Sequence, residues 1–126
     1  MELTFLSAAK YRTKLKATIH ATGKLGFSEP TANALKITKG GGIKIGKDVN
    51  GDFFLVYCPE ADEECFKIKK AGLYYYANTK GLFDDLGVDY KSYTVIYDLV
   101  KVEPDIYSMN KRILMRKNKK AENAEF

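Results

Sequence analysis

The sequence is poor in the residues on which metal-binding and disulfide-rich domains depend. It contains two cysteines, Cys58 and Cys65, and one histidine, His20. These side chains lack the spacing of a zinc site, and a lone histidine on a strand is usually structural. The two cysteines can pair across adjacent strands, but two reduced thiols are more typical of a cytosolic chain. We therefore expect no metal site.

Long apolar runs are also missing. No segment approaches the roughly 20 apolar residues that a membrane helix needs. The apolar run in the N-terminal MELTFLSAAKYR is too short for a secretory signal, and no basic residue precedes it. These absences favour a cytoplasmic protein without a membrane partner.

Tryptophan is absent, but other aromatic residues are plentiful. The 126 residues include seven Phe and nine Tyr, and 45% of the chain is hydrophobic, which excludes wholesale disorder. Such aromatic residues suit a β-rich core. The length allows one domain with a real core, and we assign it to residues 1–110.

Charge is distributed in blocks of alternating sign. The net charge is +5, yet residues 1–47 are strongly basic and residues 48–66 carry acids without any base. A bipolar surface fits anion binding on one side, and it equally fits head-to-tail association into a homo-oligomer.

Cations occupy alternate positions near the N-terminus, while Leu15, Ala17 and Ile19 continue the odd positions. In a strand, successive side chains point to opposite faces, so one face would carry the cations and the other an apolar row. An ordinary solvated face explains this pattern, and so does an anion-binding face, for which nucleic acid is the obvious partner. The candidate nucleic-acid-binding residues are Lys10, Arg12, Lys14, Lys16 and, near the following turn, Lys24.

The chain contains one pattern twice, at residues 13–57 and 64–100. Each unit reads strand, turn, strand, short helix, strand, and repetition at this period is typical of two units that share one core. Aligning Gly23 with Gly72 places Phe27 on Tyr76. Two extra residues then bring Leu35 and Ile37 onto Leu86 and Val88, and Ile43 and Ile45 onto Thr94 and Ile96. We expect the following residues to be mostly buried: Leu15, Ile19, Leu25, Phe27, Leu35, Ile37, Ile43, Ile45, Phe66, Ile68, Leu86, Val88 and Val95.

Local signals place the turns and helices. Gly23 and Gly72 suit positive φ in hairpin turns, and Asn50-Gly51 is typical of a type I′ hairpin. Helices are expected at residues 29–36 and 79–86, capped by Ser28 and Asn78. Residues 106–109 form at most a short last strand, and we interpret residues 111–126 as a polar basic tail, helical at most in its first turns and otherwise disordered.

The first unit resembles the AbrB/MazE/SpoVT family of swapped-hairpin DNA-binding domains. The resemblance rests on Gly23-Lys24-Leu25-Gly26-Phe27, Ala34-Leu35-Lys36-Ile37, Lys39-Gly40-Gly41 and the hairpin formed by Ile43–Ile45 and Phe53–Val56. It implies a DNA-binding regulator and a barrel made by interlocking two such units, which this chain either builds from its own two units or builds while also dimerising. The sequence departs from the family at Ser28, where Pro is usual, at Ala32, where many members have an Arg that engages DNA, and at Gly41, which replaces an Asp.

Motifs that suggest catalysis are incomplete. Residues 41–47 match most of a phosphate-binding loop, but Asp48 replaces the Ser or Thr that holds magnesium. Asp48, Asn50 and Asp52 begin like a calcium loop, yet Pro59 occupies the position of the bidentate Glu. We expect no enzyme activity, no cofactor and no small-molecule substrate.

Three consecutive tyrosines offer aromatic faces on which bases can stack. Alternation favours Tyr74 and Tyr76 against the core and Tyr75 exposed.

The sequence therefore predicts a β-rich α+β barrel built from two similar units. Its expected function is non-enzymatic binding of nucleic acid, DNA in particular. The alternative is a structural or protein-interaction component, of the phage or mobile-element type, in which the charge blocks direct assembly.

Overall fold

The computed structural model describes residues 1–8, 15–37 and 41–115. The elements of these residues are β1 (Leu15–Ile19), β2 (Leu25–Phe27), α1 (Glu29–Leu35), β3 (Gly42–Lys47), β4 (Phe53–Cys58), β5 (Phe66–Ala71), β6 (Tyr74–Ala77), α2 (Lys80–Asp85), β7 (Tyr93–Glu103) and β8 (Ile106–Met115).

The eight strands close into an antiparallel barrel in the order β1-β2-β6-β5-β3-β4-β8-β7. This confirms the β-rich barrel predicted from the sequence. Each half of the chain runs strand, strand, helix, strand, strand. If β1, β2, β3 and β4 are exchanged with β5, β6, β7 and β8 respectively, every pair of neighbouring strands in the barrel becomes another pair of neighbouring strands. The two halves are therefore interleaved, so neither half closes a barrel by itself.

The core follows the alternation of the strands, because every second side chain points inward. Of the residues expected to be buried, most are buried, and Leu15, Ile45, Phe66 and Val88 are partly buried against the core. Leu86 is the exception at 40% exposed. It lies after the last turn of α2, where Phe83, 1% exposed, is the side chain that enters the core.

Both helices end in the same way. The Ile37 N–H donates to the Ala32 carbonyl at 2.9 Å, and the Val88 N–H donates to the Phe83 carbonyl at 3.0 Å. The residue before each donor, Lys36 or Gly87, has positive φ, as a Schellman motif requires. These equivalent bonds agree with the alignment of Leu35 and Ile37 with Leu86 and Val88.

The repeat alignment is wrong for the second and the third strand of each unit, where it is shifted by an odd number of residues. The β1–β2 hairpin has a three-residue loop at positions 21–23, whereas the β5–β6 loop contains only Gly72 and Leu73. Phe27 points inward while Tyr76 points outward, because a one-residue difference moves a strand residue to the other face. For the same reason Ile43 is not equivalent to Thr94, since Val95, Tyr97 and Leu99 are the inward residues of β7.

The hairpin between β3 and β4 forms as expected but not with a type I′ turn. Gly51 has φ +86°, whereas Asn50 has no positive φ, and a type I′ turn needs both. The loop instead has three residues, and Asp48 Oδ1 accepts hydrogen bonds at 2.9 Å from the N–H groups of Asn50 and Asp52. Asp48 therefore has a local structural role in this turn.

The predicted helix caps are corrected in two respects. Ser28 occupies the N-cap of α1, but its hydroxyl contacts the Thr31 hydroxyl at 3.3 Å and makes no capping bond to the backbone. The N-cap of α2 is Thr79, not Asn78. Thr79 is fully buried and donates to the Gly23 carbonyl at 2.9 Å, so the start of α2 is tied to the first hairpin turn.

The last strand is longer than expected. β8 pairs with β7 as far as Met115, so residues 111–115, predicted as the start of a tail, are strand. Arg112 explains part of this extension, because its guanidinium makes two hydrogen bonds to Asp98 on β7, at 2.8 and 3.1 Å. The rest of the predicted tail, residues 116–126, lies outside the described residues.

Replacing Lys36 with Gly is expected to stabilise the protein by about 1 kcal/mol, since Lys36 holds φ 60° and ψ 39°, a conformation that costs an L-residue roughly this much. The matched control is Gly87→Ala, which puts a Cβ at φ +71° and should destabilise by about as much. Urea unfolding of both variants measures the two changes in the free energy of unfolding. If both substitutions changed it in the same direction, the common motif would be contradicted.

Candidate nucleic-acid interface

The predicted binding residues divide into two groups. Lys10, Arg12 and Lys14 lie outside the described residues, so their proposed role stays a prediction. Lys16 is exposed on the outside of β1, while Ala17 and Ile19 are buried inside. The expected division into a wet and an apolar face is therefore confirmed for the part of the strand that the structure describes.

Four neighbouring strands of the barrel bring further cations beside Lys16. β1, β2, β6 and β5 are adjacent, and their outward side chains form one continuous surface. We call this surface the basic face. It comprises Lys16, Thr18, His20, Lys24, Gly26, Lys67, Lys69, Tyr74 and Tyr76.

No acidic residue occurs within these four strands, all of which the structure describes. Asp98 on the neighbouring β7 lies opposite Lys16, but its carboxylate is held by Arg112. Among the described residues, no salt bridge involves the four lysines of the basic face. Within the described part of the chain, these four lysines therefore have no ion-pair partner.

Tyr74 lies across Gly26 on this face. A Cβ added to Gly26 would overlap Tyr74 Oη and His20 Nε2, so these two side chains occupy the space that glycine leaves. His20 Nε2 and Tyr74 Oη form a hydrogen bond of 2.7 Å, and the two ring centroids are 5.3 Å apart. Burial raises the pKa of Tyr74, which keeps its hydroxyl protonated. The Tyr74 ring is thus fixed against the backbone of the sheet.

Tyr76 stands beside Gly26 and opposite Lys69. The Lys24 ammonium lies 4.8 Å from the centre of the Tyr76 ring, a cation–π distance. Both Tyr74 and Tyr76 are half-buried, and both belong to the outer face. This corrects the expectation that they face the core, because Tyr75 is the tyrosine that packs against it.

Sequence reasoning missed several residues of this face. Lys67 and Lys69 alternate with Phe66 and Ile68 in the same way as the cations near the N-terminus, so the signal was available. The contact of His20 with Tyr74 had no such signal. The two residues are 54 positions apart, and only the β2–β6 pairing brings them together.

The thiols form a separate cluster on the outside of β3 and its neighbours. Cys65 donates to Asp62 Oδ1 at 3.4 Å, and Lys44 lies 3.3 Å from the other Asp62 oxygen. Burial, followed by the neighbouring Cys65, raises the pKa of the Cys58 thiol, which opposes formation of a thiolate nucleophile.

A cavity outside the basic face offers few polar groups to a ligand. A cavity of about 240 Å³ at the barrel wall is lined mainly by apolar side chains: Phe53, Leu86, Val88, Tyr97, Met109 and Lys111. In the described parts of the chain, no three His, Cys, Asp or Glu residues cluster as a metal site would require. The same parts contain no helix of the length and apolarity needed to cross a membrane.

Comparison with known proteins found no matching family model, no matching curated protein and no matching solved structure.

Replacing Gly26 with Ala is expected to destabilise the protein by about 1–3 kcal/mol, because the new methyl group overlaps the His20–Tyr74 pair. Adding Tyr74→Ala should recover part of this loss, since the double variant removes the overlap with Tyr74 and leaves only the overlap with His20. A double-mutant cycle by urea unfolding measures the coupling, and strictly additive effects would mean that Tyr74 does not cover Gly26.

Proposed function

We propose that the protein is a non-enzymatic nucleic-acid-binding protein and that the basic face contacts phosphates. The observation that carries this proposal is the placement of Lys16 on β1, Lys24 directly before β2, and Lys67 and Lys69 on β5, within a run of four adjacent strands that contains no acid. Four like charges on one face repel each other, and a polyanion relieves that repulsion while it releases its own counterions.

Contacts of this kind favour affinity over sequence readout. Lysine contacts a phosphate as a point charge, and phosphate contacts position a protein without reporting the base sequence. The basic face does include side chains that can touch bases, but the described lysines supply mainly the electrostatic part of binding.

A regulator resembling the AbrB/MazE/SpoVT family is the finer form of this proposal. The interleaving of two strand–strand–helix–strand–strand units in one barrel supports it. The residue at the family's DNA-contact position does not, because Ala32 is 1% exposed. Gly41, which replaces the family's Asp, departs as well, since a Cβ there would meet the Tyr57 ring. DNA contact would therefore use the basic face and not the helix that carries Ala32.

Replacing the four lysines of the basic face with Gln should weaken binding to a DNA oligonucleotide and flatten its salt dependence. Each lost phosphate contact lowers the slope of log K against log salt by about 0.7–0.9, so the slope of the fourfold variant should fall by up to about 3 to 4. Fluorescence anisotropy at several salt concentrations measures the slope, and thermal unfolding checks that the fold is kept.

The matched control removes the same charge elsewhere. Lys47, Lys91, Lys101 and Lys111 are exposed and lie outside the basic face, and their replacement by Gln should change the slope much less. Equal slopes for the two fourfold variants would assign binding to net charge alone. No binding of DNA or RNA by the unmodified protein at low salt would refute the proposal.

An assembly role is the second candidate, and the edge of β8 favours it. β4 pairs with β8 only over Phe53–Val56 and Ile106–Met109, so beyond Met109 the described strand has β7 on one side only. Ile113, Leu114 and Met115 are 53%, 44% and 80% exposed there. An exposed apolar strand edge is a template for pairing with another chain, and a second copy is the occupant proposed here.

Replacing Ile113 and Leu114 with Lys should convert an oligomer to monomer if this edge holds two copies together, because charges at a strand edge oppose pairing. Light scattering after size-exclusion chromatography measures the mass. The control variant, Val49→Lys with Leu73→Lys, adds the same charge at exposed hairpin turns and should leave the mass unchanged. A monomeric unmodified protein would remove this candidate.

A further inference from the structure

We infer that the basic face binds single-stranded nucleic acid, with one base stacked on the ring of Tyr74 and a neighbouring base on that of Tyr76. This inference rests on the proposed function and specifies its ligand. It follows from the placement of two aromatic rings among the lysines, an arrangement that sequence-tolerant single-strand binding typically uses.

The Tyr74 ring is prepared for stacking. Its Cε2 and Oη atoms lie over the Gly26 backbone, because a Cβ at Gly26 would collide with both. Both atoms belong to one edge of the ring, so the contact with Gly26 covers neither ring face, and the residue remains partly exposed. Glycine is required beneath the ring, since any side chain there would displace it.

His20 fixes the ring in this position. The 2.7 Å hydrogen bond between His20 Nε2 and Tyr74 Oη restrains the side chain before any ligand arrives. A restrained aromatic ring loses little conformational entropy on binding, and such preorganisation increases affinity without new contacts. The ordinary structural explanation of this contact is that an aromatic side chain covers a glycine in a sheet.

The distance between the two rings favours a single-stranded ligand over a duplex. Tyr74 and Tyr76 are two residues apart on one strand, a separation of roughly 7 Å. Bases in a duplex are stacked about 3.4 Å apart and their faces are covered by each other. Two neighbouring bases therefore reach both rings only if they unstack, which a single strand allows at low cost.

The lysines lie on both sides of the two rings. Lys16, on β1, and Lys24, directly before β2, lie on one side of the strand that carries the tyrosines, and Lys67 and Lys69, on β5, lie on the other. A single strand whose bases point to β6 would keep its phosphates within reach of one or both groups. The Lys24 ammonium lies over the Tyr76 ring, 4.8 Å from its centre, so a base that stacks on this face takes its place and leaves the ammonium close to the neighbouring phosphate.

The test compares a 12-nucleotide oligo-dT, an oligo-U of the same length and a 12-base-pair DNA duplex by fluorescence anisotropy. Both single strands should bind more tightly than the duplex at the same salt. Tyr74→Leu should lower single-strand affinity by about 5- to 150-fold, the loss expected for one stacked base, while the salt slope stays unchanged because no phosphate contact is lost. Tyr74→Phe, which keeps the ring, should lose much less.

Two further variants complete the design. Tyr76→Leu should also lower single-strand affinity, and it keeps the inference testable if Tyr74→Leu fails to fold. Tyr93→Leu removes a tyrosine that is 38% exposed on β7, outside the basic face, and should not change binding. Thermal unfolding of each variant separates loss of binding from loss of structure.

The outcomes separate this inference from the proposed function. Equal affinity for duplex and single strands, or unchanged single-strand affinity in folded Tyr74→Leu and Tyr76→Leu, would overturn the stacking inference, and Tyr74 would then only cover Gly26. The lysine-dependent binding would stand in that case. Absence of binding to all three oligonucleotides at low salt would overturn both.

Discussion

The pairing of β2 with β6 is the contact on which the rest of the structure depends. It joins the first hairpin of one unit to the first hairpin of the other, and the pairing of β4 with β8 does the same on the other side of the barrel. The β1–β7 and β3–β5 ladders join the units as well. Without these ladders each unit would expose the apolar side of its strands, because neither has enough strands to enclose a core. Backbone hydrogen bonds between the units and burial of Leu25 and Phe27 are therefore gained together.

The same pairing creates the basic face. Lys16 and Lys24 come from the first unit, whereas Lys67, Lys69 and both outward tyrosines come from the second. Gly26 lies opposite Tyr76, and the missing side chain at Gly26 gives Tyr74 a place to lie. A change that loosens the ladder between the units would therefore disturb the core and the candidate site at once, which is why the binding experiments need stability measurements beside them.

The period-two patterns made much of this fold predictable. Alternation in residues 15–19 separated Lys16 from Ala17 and Ile19, and the glycine turns and repeated order of elements indicated a shared barrel. Register was not predictable, because it depends on one residue in a turn: the extra residue before Gly23 shifts β2 relative to β6 and reverses the expected orientation of Tyr76. The extent of β8 was missed for a related reason, since the Arg112–Asp98 pair forms only once β7 lies alongside.

Folding changes which charge blocks of the sequence lie next to each other. The basic blocks at residues 15–24 and 67–70 are separated in sequence by the acidic block, yet they meet on one face because β2 pairs with β6. Part of the acidic block lies next to Lys44, where Asp62 and Glu64 are 3.3 and 3.9 Å from the ammonium group and compensate it. The four lysines of the basic face have no such acid among the described residues. The charge of Lys44 is therefore used in ion pairs within the protein, whereas the charge of the basic face is available for a polyanion.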